Sequence, residues 1–498
     1  MFEMAEVGRR VDKTQYQQEA PALRQALLDL QLALRGSPSS VIVIIEGVDN
    51  AIKGELANTL NDWLDTRGLE FQAFGPKSDE ESERPRFWRY WRSLPARGRI
   101  GIFSGSWYSG TLYERTLGKL DTAHFELHMR RIARFENMLA RDGAIILKFW
   151  LHMSRKQQKH YFRRLNQHGK GRWLISPLDQ KLRKHYRAHL NAAEQTLRLT
   201  DQAQAPWHVI EAEDTRYRNL AVGQCLQAAL RRTLAHADTP EPPAPDISVC
   251  AEPHTDLTQP GILDCIDLSL ACDKETYEKR KNALLMRLNN YAWKAYHQGV
   301  SMVLVFEGWD AAGKGGAIRR LLRAIDARIS QVIQISAPTD EERAHHYLWR
   351  FWRHLPRAGR ITLYDRSWYG RVLVERVEGF ASPQDWQNAY SEINDFEEQL
   401  CDHGILLLKF WLHISEDEQL RRFRERETTP HKRYKITGED WRNRDKRKAY
   451  EMAAEDMVVR TSTSHAPWHL ISANDKRHAR LDILERICSA LGERLEKE

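Results

Sequence analysis

Short apolar runs alternate with longer amphipathic segments along the whole chain. Residues 301–306, 361–364 and 405–410 are largely apolar and lie close to glycine, which is typical of buried parallel strands. An amphipathic segment at about 273–298 predicts a long helix before the first of them, and another helix is predicted to begin near Gly315. This alternation predicts an α/β fold with a parallel sheet flanked by helices. Ligands of such sheets bind beyond the carboxyl ends of the strands, so residues following the strands are candidates for function.

The same pattern occurs twice. GAIILKFWLHM from Gly143 and GILLLKFWLHI from Gly404 agree at seven of eleven positions, and WRYWRSLP from Trp88 and WRFWRHLP from Trp349 agree at six of eight. Both pairs are 261 residues apart. The ungapped register holds over about 200 residues, a period that predicts two tandem domains rather than a solenoid.

A proline-rich acidic segment, HADTPEPPAP from His236, separates the two copies. Neither a helix nor a central strand tolerates such a sequence, so it predicts a linker. The predicted organisation is an amino-terminal domain over residues 1–235, a linker over 236–258 and a carboxy-terminal domain over 259–498.

Composition narrows the class of protein. No apolar run approaches the roughly 18 residues that a membrane-spanning helix needs. The first residues, MFEMAEVGRRVDK, have no apolar stretch behind their charges, so no signal peptide is expected. The six cysteines include no C-x-x-C pair, which argues against a zinc site and favours the cytoplasm. The net charge of +8 favours an anionic ligand without identifying it.

The second copy contains a phosphate-binding loop. Strand 301–306 is followed by EGWDAAGKGG from Glu307, which has the G-x-x-x-x-G-K spacing from Gly308 to Lys314. The glycines allow backbone N–H groups to point at phosphate oxygens, and the following helix adds the positive end of its dipole. Lys314 would place a charge on the terminal phosphates.

This loop departs from the general pattern because the residue after the lysine is Gly315 rather than the Ser or Thr that usually binds magnesium. Carboxylates must then hold the metal, and Asp310 in the loop and Asp365 after strand 361–364 are the candidates. Arg366 follows Asp365 and offers a forked donor for a phosphoryl group in transfer. The alternative for this pair is a surface ion pair.

The first copy retains Asp49 and Lys53 but has lost other residues of the site. Ile52 and Glu55 replace Gly313 and Gly316, and Ser104 and Gly105 replace Asp365 and Arg366. A β-branched residue does not adopt the backbone conformations open to glycine, and Glu55 would repel phosphate. We therefore expect no chemistry from the first copy.

Three motifs together resemble the polyphosphate kinase 2 family. They are GWDAAGKGG at 308–316, YDRSWYGR at 364–371 and APWH at 466–469. The resemblance implies a P-loop kinase fold similar to thymidylate kinase, with a helical lid over the site at about 416–450. The tandem form resembles the two-domain subclass, which transfers phosphate from inorganic polyphosphate to AMP and carries a degenerate first domain. Thr437-Gly438 stands where family lids have Ser-Pro.

The resemblance also implies roles for individual residues. It implies that Asp310, Lys314 and Arg366 are the catalytic residues. It also implies that Mg²⁺ is the cofactor and that Asp310 and Asp365 bind it. Glu375 and Arg371 lie in a further motif with a less defined role, assigned here to the nucleotide. The predicted phosphate-binding residues are Gly308, Gly313, Gly315, Gly316, Arg353, Arg357, Lys432, Arg433 and Lys435.

Five of those residues belong to two basic tracks. Polyphosphate carries about one charge per phosphate and no base, so it calls for a long basic surface, as nucleic-acid backbones do. One predicted track consists of Arg350, Arg353, His354, Arg357 and Arg360, and the other of Arg421, Arg422, Arg424, Arg426, Lys432, Arg433 and Lys435. The alternative for each arginine alone is a solvated helix face.

Two other functions remain open from the sequence. An ATP-dependent nucleoside monophosphate kinase would share the loop and lid, and donor choice distinguishes it. A non-catalytic polyanion- or RNA-binding protein would use basic and aromatic residues, but it would not need Asp310, Lys314 and Asp365 together. We expect inorganic polyphosphate and AMP as partners, a homo-oligomer, and neither specific nucleic acid nor membrane. GMP is a second candidate acceptor. The sequence does not determine which purine base is preferred, whether ADP is also an acceptor, in which direction the reaction runs in the cell, or the oligomeric state.

Overall fold

The computed structural model describes residues 1–167, 177–237, 261–436 and 438–496, apart from the side chains of residues 166–167, 236–237, 431–432 and 435. Residues 238–258 of the predicted linker lie outside this part of the chain. Nowhere within it is a helix both long and apolar enough to cross a membrane.

Two five-stranded parallel sheets confirm the predicted α/β architecture and its duplication. The strands are β1 Ser40–Gly47, β2 Leu69–Ala73, β3 Ile100–Ser104, β4 Ala144–His152, β5 Trp207–Glu211, β6 Met302–Gly308, β7 Ser330–Gln334, β8 Ile361–Asp365, β9 Leu406–His413 and β10 Trp468–Ser472. The first sheet has the order β2-β3-β1-β4-β5 and the second β10-β9-β6-β8-β7, which is the same order read from the other edge.

Helices connect these strands in both copies. In the first copy the α-helices are Lys13–Leu34, Asn50–Trp63, Asp79–Ser82, Trp88–Trp91, Ser109–Thr116, Thr122–Arg141, Arg155–Gln167, Pro177–Lys184, Tyr186–Thr200 and Thr215–Ala237. In the second they are Lys274–Gln298, Lys314–Leu321, Asp340–Arg343, Trp349–Trp352, Val374–Val377, Pro383–Asp402, Glu416–Thr428, Gly438–Asp445, Arg447–Thr461 and Lys476–Glu496. Short 3-10 helices span Phe2–Ala5, Thr66–Gly68, Trp368–Arg371 and Pro430–Lys435.

The folded chain divides into two compact units that follow the copies except at two short segments. Lys77–Trp88 belongs to the unit that contains most of the second copy, and Thr339–His346 to the unit that contains most of the first. Within the second unit, the guanidinium of Arg357 binds both carboxylate oxygens of Glu83, with Nε at 2.6 Å and Nη2 at 2.9 Å. The domain limits at 235 and 259 stay predictions of the sequence.

The central strand of each sheet is buried, and its register with the neighbouring strands fixes where the following loops leave the sheet. In the second sheet, β6 pairs with β8 and β9 so that Phe306 lies opposite Asp365 and Phe410. The backbones that follow β6 and β8 therefore leave the sheet side by side, at its carboxyl edge. A candidate site built from both loops is a consequence of this register.

A buried charged network supports the segment after β8. Lys409 Nζ donates to Glu397 Oε2 at 2.7 Å and to the carbonyl of Thr461 at 2.8 Å, and Glu397 Oε1 accepts from Trp368 and Tyr369. The first copy repeats it with Lys148, Glu136, Thr200, Trp107 and Tyr108. A network kept in both copies serves the fold, because it does not depend on the features in which the copies differ.

Candidate functional site

The loop between β6 and the helix Lys314–Leu321, called the loop helix below, has the backbone of an anion-binding turn. Gly308 and Gly313 have φ of 139° and 117°, and Ala311 has φ of 64°. A Cβ on Gly308 would come 2.4 Å from the carbonyl oxygen of Leu412, so only glycine fits there. Within the described residues, the N–H groups of Gly313, Lys314 and Gly315 donate to no protein acceptor. They are available to an anion at the start of a helix.

The sequence-predicted charged residues meet at this loop. Lys314 Nζ donates to the carbonyls of Gly308 at 2.6 Å and Trp309 at 3.3 Å. Arg366 Nη2 donates to Asp310 Oδ1 at 3.1 Å. Three of the predicted residues, one anion and two cations, therefore lie together beside the loop.

Arg366 holds an unusual backbone conformation. Its φ is 63°, in the left-handed region that side chains other than glycine seldom adopt. The conformation costs about 1 to 2 kcal/mol for an ordinary residue, and its N–H group donates to the carbonyl of Phe306 at 3.1 Å. Gly105, at the same position of the first copy, has φ of 74°. The turn therefore favours glycine, so the arginine in it is a candidate for function.

Asp365 ends β8 with its side chain directed at the loop helix. A Cβ on Gly315 would lie 3.6 Å from Asp365 Oδ2. Within the described residues, the carboxylate forms no hydrogen bond or ion pair with protein groups. It is therefore free to bind a ligand at the start of the loop helix.

Electrostatics couple these groups. Burial alone would raise the pKa of Asp310, but Lys314 and Arg366 together hold it below its ordinary value. Burial lowers the pKa of Lys314, against the effect of Asp310. Burial raises the pKa of Glu307, which accepts a hydrogen bond from the Ser367 hydroxyl at 2.8 Å. The site holds charges of both signs in a poorly solvated space, where a phosphate would interact strongly with them.

Lid residues that the sequence did not single out also reach the loop. Asn443 Nδ2 donates to Asp310 Oδ2 at 2.9 Å, and Gln419 Nε2 donates to the Asp310 carbonyl at 3.2 Å. The guanidinium carbon of Arg447 lies 4.1 Å from the centroid of the Trp309 ring. The predicted lid therefore contacts the loop.

Comparing the copies position by position could have identified two of these lid residues. Leu182 and Tyr186 of the first copy replace Asn443 and Arg447. Polar groups present only beside the intact loop are candidates for function, whereas residues shared by both copies are candidates for the fold.

The basic tracks differ from the prediction in detail. Arg357 is paired with Glu83, and the guanidinium of Arg353 lies 4.6 Å from the Trp349 ring centroid. Arg422 is buried and donates to Glu418 and to the carbonyls of Ala311, Ala312, Ala473 and Asn474, so it ties lid to loop instead of facing solvent.

The remaining predicted residues lie as follows. Arg433 is exposed and donates to the Glu427 carbonyl at 2.8 Å. Arg371 and Glu375 pair with each other at 3.1 Å, with Arg371 against the ring of Tyr347. The side chains of Lys432 and Lys435 lie outside the described residues.

The first copy has a helix where the second has the loop. The helix Asn50–Trp63 begins at the position of Ala311, three residues earlier than the loop helix. Asp49 caps it and accepts from the N–H group of Ala51 at 2.9 Å. Lys53 is buried and its ammonium group pairs with Glu46 at 3.3 Å. The backbone donors and the lysine are thus both satisfied within the protein.

Comparison with protein families gives a match over both copies. The family model described as polyphosphate kinase 2 matches residues 10–237 and 271–498. These ranges agree with the tandem duplication.

Similar proteins span the full chain. A polyphosphate:AMP phosphotransferase of Pseudomonas aeruginosa is 48% identical over 99% of this chain and 98% of its own length. A crystal structure from Pseudomonas aeruginosa PA01, described as polyphosphate kinase 2, has a TM-score of 0.88 and 46% identity over the whole of both chains. A GDP-polyphosphate phosphotransferase of Mycobacterium tuberculosis is 40% identical over 40% of this chain and 67% of its own length.

Proposed function

Because the chain belongs to the polyphosphate kinase 2 family, we propose that it is a polyphosphate:AMP phosphotransferase that converts AMP to ADP with inorganic polyphosphate. The observation that carries the proposal is the identity of 48% over both copies to a protein of that name. The second copy has an intact phosphate loop with an aspartate, a lysine and an arginine beside it, which supports the same reaction.

The reaction is a displacement at phosphorus. An α-phosphate oxygen of AMP attacks the terminal phosphorus of polyphosphate, the P–O bond to the next phosphate breaks, and the shortened chain leaves with the bonding electrons. The barrier falls mainly through positioning and charge neutralisation. The N–H groups of Gly313, Lys314 and Gly315 would hold the donor, and Lys314 and Arg366 would neutralise the charge on the transferred group.

Arg366 is already paired with Asp310 before polyphosphate binds, so the donor must compete with Asp310 for this cation. Arg366 shares its charge with Asp310 and Lys314 donates to carbonyls, so both cations are held near the loop before phosphate arrives. A phosphate would compete with Asp310 and with the carbonyls for these two cations. Asp310 would then orient the accepting phosphate oxygen.

The donor set of the site fits Mg²⁺. This ion prefers one or two carboxylates completed by water and substrate phosphates. Asp365 presents a carboxylate without a protein partner in the described residues, and Asp310 lies in the adjacent loop. We propose that both would hold Mg²⁺, which supplies further neutralisation of phosphate charge.

The test is a purified assay of the full chain with Mg²⁺ and AMP, in which polyphosphate and ATP are compared as donors. ADP formation from polyphosphate is expected. Product from ATP alone would favour a nucleoside monophosphate kinase, and retention of RNA without any transfer would favour a binding protein.

Guanine nucleotides are a second class of acceptor that the comparisons favour. The Mycobacterium tuberculosis relative is named for GDP and polyphosphate. Parallel assays with AMP, GMP, ADP and GDP decide this point. AMP is expected to react fastest. If GMP gives no GDP above the background, GMP is excluded as a second acceptor.

Assembly and location complete the proposal. We expect a homo-oligomer, for which light scattering of the purified chain is the test. We also expect the cytoplasm, since the cysteines of the described residues, Cys225, Cys265, Cys272, Cys401 and Cys488, are all free thiols. Cell fractionation tests the location.

A further inference from the structure

A buried carboxylate that the proposed chemistry does not use is paired with the lid. Glu378 directly follows the helix Val374–Val377, and its side chain is 6% exposed. Its Oε2 atom accepts from Lys446 Nζ at 2.9 Å and lies 3.4 Å from Arg442 Nε. Arg442 belongs to the helix Gly438–Asp445, and Lys446 is the residue that follows it. We refer to this helix as the lid helix.

The lid helix also contacts the phosphate loop, through Asn443. The two oxygens of the Asp310 carboxylate accept from different donors, Oδ2 from Asn443 at 2.9 Å and Oδ1 from Arg366 at 3.1 Å. The hydroxyl of Tyr450 donates to Asn443 Oδ1 at 3.2 Å, so the amide presents its nitrogen to Asp310. The lid helix thus has contacts at two places, Glu378 and Asp310, and the position of Asn443 depends on both.

The surroundings of Glu378 are unfavourable for a charge. Glu378 Oε1 is buried, and within the described residues it has no hydrogen-bond partner. A carboxylate removed from water is destabilising unless cations and hydrogen bonds replace the water. Here both cations lie at the other oxygen. Because apolar side chains in place of a buried ion pair are often neutral or stabilising, stability alone does not account for this acid.

The first copy keeps the turn at this position without the acid. Leu117 stands at the position of Glu378, and the N–H group of each donates to the carbonyl four residues earlier, at 3.0 Å and 2.9 Å. The next residue is a glycine with positive φ in both copies, 69° for Gly118 and 73° for Gly379. The backbone of the turn therefore does not require a carboxylate.

The residues that connect the acid to the phosphate loop differ between the copies as well. In the first copy, the positions of Asn443, Lys446 and Tyr450 are occupied by Leu182, His185 and His189. The acid, the amide and the phenol hydroxyl therefore occur together only in the copy with the intact loop.

We propose that Glu378 is a positioning residue for transfer, which anchors the lid helix so that Asn443 orients Asp310. The proposal rests on the proposed function, in which Asp310 orients the accepting phosphate oxygen. With Arg366 and Asn443 each holding one oxygen, the Asp310 carboxylate has a defined orientation, and a displaced lid helix would remove one of the two donors. Loss of Glu378 would therefore slow transfer without weakening the binding of the donor.

The test compares the full chain with Glu378→Gln, which keeps the shape of the side chain without its charge, and with Glu378→Asp, which keeps the charge. Glu378→Leu copies the first copy and serves if the glutamine variant does not fold. The matched control is Glu416→Gln, because Glu416 is exposed and pairs with the same lid helix through Arg444, at 3.1 Å.

Three measurements are made on each variant. Steady-state kinetics give kcat and the KM values for polyphosphate and AMP, with and without the additional substitution Asn443→Ala. Hydrogen exchange followed by mass spectrometry gives the protection of the lid-helix amides in the absence of substrates. Thermal unfolding shows whether each variant is folded.

Glu378→Gln should lower kcat about tenfold and change the KM for polyphosphate less than about threefold, because a catalytic group is displaced while the donor site is intact. Glu378→Asp should recover part of the rate. Because Glu378 acts through Asn443, Glu378→Gln should lower the kcat of the Asn443→Ala variant by less than about twofold. The lid-helix amides should exchange at least about threefold faster in Glu378→Gln. Glu416→Gln should match the wild type throughout.

An unchanged kcat of Glu378→Gln, the same loss with and without Asn443, or unchanged protection of the lid helix would overturn the positioning role. The two proposals fail in different ways. If the wild type forms no ADP from polyphosphate, the proposed function fails, and hydrogen exchange still decides whether Glu378 anchors the lid helix. If the wild type is active and Glu378→Gln keeps its kcat, only the positioning role fails.

Discussion

The two copies carry the same lysine at the same position, yet its ammonium group has different partners in each. Lys314 lies against the carbonyls of a glycine-rich loop whose N–H groups are unused, whereas Lys53 is buried against Glu46 in the first turns of a helix. A few sequence differences thus accompany an anion-binding turn in one copy and a capped helix in the other. The lysine has unused backbone N–H groups beside it only in the copy where the residues before it form a loop.

The copies also show which charges belong to the fold. The network around Lys409 is repeated around Lys148 with the equivalent partners and bond lengths within 0.3 Å. At the position of Gly316 the copies differ, because the first copy has Glu55 paired with the buried Arg218 and the second has a glycine near Arg320 and Arg480. Buried pairs kept in both copies are candidates for the fold, and charges that differ beside the loop are candidates for function.

The largest effect is expected from the paired substitutions Lys314→Ala and Lys53→Ala. Loss of Lys314 should reduce kcat by about 10² to 10³-fold with little change in Tm, because it removes a charge that in the proposed mechanism would act on the transferred group. Loss of Lys53 should leave most of the turnover but cost about 3 kcal/mol of stability, because Glu46 is left buried and unpaired. Steady-state kinetics and thermal unfolding of both variants separate the two effects. Equal loss of turnover would show that the first copy takes part in the chemistry.

A comparable loss of activity should follow Asp365→Asn. The carboxylate has no protein partner in the described residues, so Tm should stay within about 3 °C of the wild type while kcat falls about 10²-fold. The Mg²⁺ concentration for half-maximal rate should rise in any residual activity. Ser104→Ala, at the same position of the first copy, is the control and should keep wild-type kinetics. An active Asp365→Asn variant with unchanged Mg²⁺ dependence would remove the metal assignment.

Arg366→Gly tests whether the strained turn serves function. The first copy has glycine there in the same conformation, so the variant gains about 1 to 2 kcal/mol from relieved backbone strain. It also loses the ion pair between Arg366 and Asp310, so the net change in stability should be less than about 1 kcal/mol. Activity should fall about 10²-fold because the forked donor is gone. Arg366→Lys, which keeps the charge without the fork, should recover a part of the rate. Full activity of the glycine variant would mean that the arginine has no part in transfer.

The smallest effects concern pH. Burial raises the pKa of Asp49 to about 6, against 3.8 unfolded, so the folded unit keeps a proton that the unfolded chain loses. This residue's contribution to the free energy of unfolding therefore falls by about 1 to 3 kcal/mol as pH rises from about 4 to about 6. Asp310 has a lowered pKa, so its contribution is present above 3.8 and is lost as pH falls.

Calorimetry of Asp49→Asn and Asp310→Asn from pH 4 to pH 8 checks these opposite signs. Asn still caps a helix, so Asp49→Asn should raise Tm at pH 7 and lose its advantage near pH 4. Asp310→Asn should lower Tm at pH 7. A decrease in Tm for Asp49→Asn at neutral pH would contradict the pKa assignment.

Much of the fold could be predicted because its signals are local. The apolar runs became β6, β8 and β9, and the predicted long helix is Lys274–Gln298. The phosphate loop is contiguous in the sequence, so its glycines, aspartate and lysine could be placed together. Because the sequence is duplicated, each position of the phosphate loop could also be compared with the equivalent position of the first copy.

The parts that the sequence did not predict depend on contacts between distant segments. Arg357 has Glu83 as its partner, which no local pattern indicates. Asn443 reaches Asp310 only because the lid folds over the loop. Arg480 lies beside Arg320 only because the last helix packs near the loop helix, and its charge in the sequence resembles that of any solvated helix face.

The central claim is that phosphate and metal bind only at the loop of the second copy. The most direct measurement is anomalous diffraction from crystals of the full chain grown with Mn²⁺ in place of Mg²⁺ and with tripolyphosphate. The expected result is a manganese peak beside Asp310 and Asp365, phosphate density at Gly313 to Gly315, and neither feature at Ser104 or at the start of the helix Asn50–Trp63. Peaks of equal height at both copies, or a peak at the first copy alone, would contradict the account.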